Sequence, residues 1–96
     1  MIFAEMNYPG AYEDFHEELS TFLAENFSNV MSGLQSDSWF WILDGEEKVA
    51  IDTFSSMTHE IKSEKAWPHV QKVIEILRSK YNVNVYEKAM LEPHED

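Results

Sequence analysis

The run Ser38-Trp39-Phe40-Trp41-Ile42-Leu43-Asp44-Gly45-Glu46-Glu47-Lys48-Val49-Ala50-Ile51-Asp52-Thr53-Phe54 decides how this chain folds. Two stretches rich in aromatic and β-branched residues flank Asp44-Gly45. An Asp-Gly pair in that setting is among the strongest local signals for a β-hairpin. With Asp44-Gly45 as a two-residue turn, Leu43 pairs with Glu46, and Phe40 and Ile42 share a face with Val49 and Ile51. That face suits a core. Trp39, Trp41 and Leu43 then lie on the reverse face with Glu46, Lys48, Ala50 and Asp52. A three-residue loop with a glycine bulge would turn one strand over and carry both tryptophans into the core. A run apolar on both faces reads as a central strand with layers on each side and its tryptophans at least half buried. The alternative is an exposed aromatic patch.

Upstream of the hairpin, Ile2 to Tyr8 alternates as a first strand and Pro9-Gly10 turns the chain. From Ala11 to Asn26 the period becomes helical. Tyr12, Phe15, Leu19, Phe22 and Leu23 form one apolar stripe, and Glu13, Asp14, Glu17, Glu18 and Glu25 fall on the opposite arc. Glu13 and Asp14 complement the helix dipole. No lysine stands four residues from these acids to offset their repulsion, so packing of the stripe must hold the helix. Ser28 to Ser36 is read as an irregular strand with Gly33 at a bulge, the alternative being a loop.

Downstream, Met57 to Lys62 either continues the second hairpin arm or forms a separate strand with Met57, His59 and Ile61 on one side. Pro68 suits the first turn of a second helix, whose stripe is Trp67, Val70, Val73, Ile74, Leu77 and Tyr81, with Asn82 as its C-terminal cap. Val83 to Tyr86 reads as a short last strand. The expected architecture is α+β. Two helices pack on one face of a mainly antiparallel sheet of four to five strands, in a βαββαβ order that is ferredoxin-like or related. Residues 1–88 form a single domain and 89–96 an acidic C-terminal tail.

The chain has 96 residues, 44% of them hydrophobic, which is enough for one core. It has no cysteine, which removes disulfides, thiol catalysis and cysteine-bound zinc. Nothing resembles a signal peptide or a membrane span, and the expectation is a cytoplasmic protein. Net charge is −11, with no lysine or arginine before Lys48. The first 47 residues carry −10 and the remaining 49 only −1. Such a field repels nucleic acid and anionic membranes and attracts basic surfaces. Acidity of this kind commonly serves solubility alone, yet solubility does not require one sign so purely.

No chemistry declares itself. The three glycines are scattered, so no phosphate loop forms, and no nucleophile elbow surrounds any serine. His16, His59, His69 and His94 show no metal-binding spacing, although His16 with Glu13 and Glu17 approaches one helix edge. No cofactor, no metal and no catalysis are expected. The reading is a small acidic, non-catalytic protein-binding module for a basic partner surface. Inhibitors that resemble bacterial immunity proteins or nucleic-acid mimics are one such class, a comparison of size and charge only. Its contact residues are Glu13, Asp14, Glu17 and Glu18 on the first helix, Glu46 and Glu47 at the hairpin tip, and Trp39 and Trp41 as aromatic anchors. The alternative is a structural or regulatory domain that self-associates, as a homodimer, through the tryptophan-bearing sheet face.

Overall fold

The hairpin forms, with its turn one residue later than Asp44-Gly45. In the computed structural model, which describes residues 1–92, β3 (Asp37–Asp44) and β4 (Glu47–Asp52) pair with Asp44 opposite Glu47 and Leu43 opposite Lys48. The turn is Gly45-Glu46. Gly45 has φ +62°, and Glu46 is not among the residues with positive φ. A two-residue turn with positive φ only at its first central position is the type II′ pattern, for which glycine belongs first. A turn at Asp44-Gly45 of type I′ would need positive φ at both residues. The two-residue slip leaves every side chain on its expected face. Phe40 pairs with Ile51 and Ile42 with Val49, all fully buried or nearly so, while Trp39 and Trp41 are half-buried on the reverse face.

The other elements are β1 (Ile2–Asn7), α1 (Tyr12–Asn26), β2 (Val30–Gln35), β5 (Glu60–Lys62), α2 (Pro68–Arg78) and β6 (Asn82–Met90). The six strands make one sheet in the order β2-β3-β4-β5-β1-β6, antiparallel at every pairing. The class is α+β, as the residue pattern implies. The four- or five-stranded ferredoxin-like plan is not what forms, because β5, β4 and β3 all stand between β1 and β2. α1 therefore carries the chain over three strands to the far edge.

Leu19, Phe22 and Leu23 of α1 meet Val70, Val73, Ile74 and Leu77 of α2 in one cluster with Phe40, Ile42, Val49, Ile51 and Ile61 of the sheet. Both helices thus cover the same face. His16 is buried on α1's inner stripe, and Phe15 is only half-buried. The segment from Val30 is a regular edge strand and not an irregular one. Its register with β3 is unbroken, and Gly33 sits opposite Trp39 rather than at a bulge. A Cβ at Gly33 would lie 2.5 Å from the Trp39 indole nitrogen, so the glycine is needed for the ring to lie across the strand. α2 ends at Arg78 with Ser79 as its cap, not at Asn82, which opens β6. β6 also takes in Ala89 and Met90, the start of the expected tail, and residues 93–96 lie outside the described residues.

Candidate functional site

α1 presents the densest acidic surface. Glu13, Asp14, Glu17 and Glu18 are all exposed, and none of the four forms an ion pair among the described residues. Lys80 Nζ lies 5.4 Å from the centre of the Phe22 ring and 5.5 Å from that of Tyr81. The neighbouring phenols register the field. Tyr8 and Tyr12 are raised above the usual value by burial first and then by the Glu13 carboxylate, with Asp37 adding to the effect on Tyr12. Tyr81 is pushed up to about 12 by burial and then by Glu18 and Glu25.

The eight expected contact residues do not share one surface. Tyr12 donates a hydrogen bond to the Ser36 carbonyl, so the acidic start of α1 lies at the end of the sheet where β3 begins. Glu46, exposed, and Glu47, half-buried, lie at the other end of β3. Trp39 and Trp41 occupy the face away from the helices, with ring centres 4.9 Å apart and Lys48 Nζ 4.3 Å above Trp41. The sequence shows each group, but only the sheet order separates them.

That uncovered face holds a charge cluster which sequence reasoning missed. Lys62 is 4% exposed, and its ammonium donates to Asp52 Oδ1 at 2.6 Å, Glu92 Oε2 at 2.7 Å and Ser55 Oγ at 2.9 Å. Glu60 stands 3.7 Å away. Burial pulls the ammonium's pKa down, and the carboxylates of Asp52 and Glu92 more than reverse that, so it ends above the ordinary lysine value. A cavity of about 320 Å³ opens beside it, lined in part by Trp41, Lys48, Phe54 and Glu64. The signal in sequence was parity alone: Asp52, Glu60 and Lys62 fall on the reverse face once the hairpin register is known.

Under α1 a second polar group is sealed in the core. Tyr8 Oη lies 2.7 Å from His59 Nδ1, His59 Nε2 lies 2.7 Å from Ser38 Oγ, and His16 Nδ1 lies 2.5 Å from the same oxygen. Ser38 also donates its backbone N–H to Thr53 Oγ1 at 3.1 Å. A serine hydroxyl has one proton, so it donates to one ring and accepts from the other. The ring that receives this proton does so through an unprotonated nitrogen and is neutral. Burial lowers the His16 pKa against the pull of Glu17, and burial with the nearby His16 lowers His59 to about 4. Ser38 and His59 are 0% exposed, which removes this pair from reach of any substrate. Its work is to tie α1 and the two loops around it to the sheet.

Among the described residues no group of three or more histidines or carboxylates is arranged to hold a metal, and no helix is long and apolar enough to cross a membrane. The fold and these surfaces define the class: a small, acidic α+β domain with helices on one side of an antiparallel sheet. Compared with known proteins, the chain matches no family model, no curated relative and no solved structure.

Proposed function

We propose that this protein is a non-catalytic binding module that offers the outer face of α1 to a basic protein surface. The observation that carries the reading is the exposed row Glu13, Asp14, Glu17 and Glu18, with none of the four in an ion pair among the described residues. Leaving like charges together on a helix costs stability, about 0.2–0.5 kcal/mol per close pair. Retaining them is reasonable when a cationic partner supplies the missing counter-charge. An inhibitor that occupies a phosphate-binding site is one protein of this kind, because such a site is built for negative charge and electrostatic attraction speeds the encounter. Trp39 and Trp41 lie on the opposite face, so a partner seated on α1 does not use them as anchors.

The test is capture of binding proteins, eluted with a salt gradient, by three forms of the chain. The wild type should hold a basic protein that salt releases. Glu13→Lys with Glu17→Lys should lose it, and Glu46→Lys with Glu47→Lys, an equal change of charge at the far end, should keep it. A partner indifferent to salt, or one lost equally from both variants, would refute the reading. A second reading, self-association through the tryptophan-bearing face, is favoured by the absence of a helix over that face among the described residues. Concentration-independent monomer would remove it.

A further inference from the structure

β2 forms one edge of the sheet. The Leu43 N–H donates to the Asn29 carbonyl, and the Thr53 N–H donates to the Ser38 carbonyl. In an antiparallel ladder these two bonds set the alternation. Asp37, Trp39, Trp41 and Leu43 bond toward β2, and Met31, Gly33 and Gln35 bond back. Val30, Ser32 and Leu34 therefore turn their backbone N–H and C=O groups away from the sheet. Native proteins defend such edges with charges, proline, bulges or a covering element. The opposite edge, β6, carries Glu87 and Lys88 and an irregular register against β1. Among the described residues β2 has no such defence. From Ser28 to Ser36 there is no charged residue and no proline, the strand is regular, and Met31 and Leu34 are 48% and 44% exposed.

We infer that β2 is a homodimer interface, pairing antiparallel with β2 of a second copy so that two sheets join edge to edge. Charge argues for this occupant. In a chain of net charge −11, the stretch from Ser28 to Ser36 carries no charge, so two paired copies of β2 set no like charges against each other along the strand. Fit argues for it as well. A two-fold axis requires paired residues to lie on the same side of the sheet. Placing Ser32 opposite its own copy sets Val30 against Leu34 on the helix side and Met31 against Gly33 on the other. Leu34 then meets the smaller Val30, and Met31 meets Gly33 with the Trp39 ring that lies across it. The arrangement differs from stacking of the tryptophan faces, and it draws nothing from the acids of α1.

Sedimentation of the intact chain from about 10 µM to about 1 mM should show a monomer–dimer equilibrium. That equilibrium should tighten as salt screens the like charges. Because the chain has no cysteine, Ser32→Cys introduces a single thiol. Across the two-fold axis the paired Cα atoms would stand about 5.5 Å apart, within reach of a disulfide. Mild oxidation should link Ser32→Cys into a covalent dimer and leave Lys88→Cys, on the other edge, unlinked. Ser32→Pro removes an outward N–H and should abolish dimerisation. A wild type that stays monomeric throughout would overturn the inference. So would self-association weakened by salt, or association unaffected by Ser32→Pro. If Ser32→Pro does not fold, the comparison of the two thiol variants decides. A monomer that still binds a basic protein through α1 would sink this inference and leave the proposed function standing.

Discussion

Acid should loosen the protein through His59, by an amount the structure allows us to work out. In the folded chain His59 is lowered from 6.5 to about 4 because burial disfavours its cation and His16 stands beside it. In the unfolded chain it titrates near its ordinary value. As pH falls below about 6.5 the unfolded state takes up the proton first, so stability is whole above that pH and drains away down to about 4. At about 1.4 kcal/mol per pKa unit the loss approaches about 3 kcal/mol. That is a large share of the roughly 5–15 kcal/mol typical of a domain. The perturbation is His59→Gln, which cannot titrate but retains an amide for Tyr8 or Ser38. Urea unfolding should be followed by tryptophan emission in steps from pH 7 to pH 4 for both proteins. At pH 7 the variant should be the less stable, having given up part of the hydrogen-bonded chain. The gap should close by about 3 kcal/mol as pH falls, because only the wild type loses the His59 contribution. Titration of the carboxylates is common to both and cancels in the difference. Stability curves that run parallel over this range would refute the account of the buried relay.

Other consequences can be checked directly. Lys62→Ala leaves Asp52 and Glu60 buried without their cation and should cost about 3–5 kcal/mol in chemical unfolding. Gly33→Ala places a methyl 2.5 Å from the Trp39 indole nitrogen and 2.6 Å from its ring carbon. The ring must move, with a loss of about 1–3 kcal/mol and a red-shifted tryptophan emission. Tyr8→Phe removes the hydroxyl 2.7 Å from His59 Nδ1 and should cost about 1 kcal/mol by thermal or urea melting. Glu13→Lys with Glu17→Lys keeps the 13–17 pair like-charged and sets a cation at the start of α1 against the helix dipole, so it should cost about 1 kcal/mol or less in urea unfolding while abolishing salt-sensitive binding of a basic protein.

Much of the fold was legible from local pattern. Alternation placed β1, β3 and β4, the three-and-four spacing placed α1 and α2, and two-residue periodicity kept Phe40, Ile42, Val49 and Ile51 inward even though the turn slipped to Gly45-Glu46. Face assignment survives a slip of two because side chains alternate with period two. The exposed acids of α1 were equally plain, since exposure on a helix follows from angle alone. Periodicity also held the signal for His16, which lies four residues after Tyr12 and three before Leu19 on the buried arc. It could not bring that ring to Ser38 and His59, which are 22 and 43 residues further along the chain.

The sequence by itself determined the elements, their inward faces and the concentration of negative charge, because each depends on neighbours a few residues away. Tertiary structure alone decided which surfaces coexist. Strand order put Trp39 and Trp41 behind the sheet from α1, left the uncharged β2 on an edge, gathered Lys62 with Asp52, Glu60 and Glu92, and closed the Tyr8–His59–Ser38–His16 relay. These are contacts between distant segments, and their energies depend on a low-polarity environment that exists only once the chain has packed.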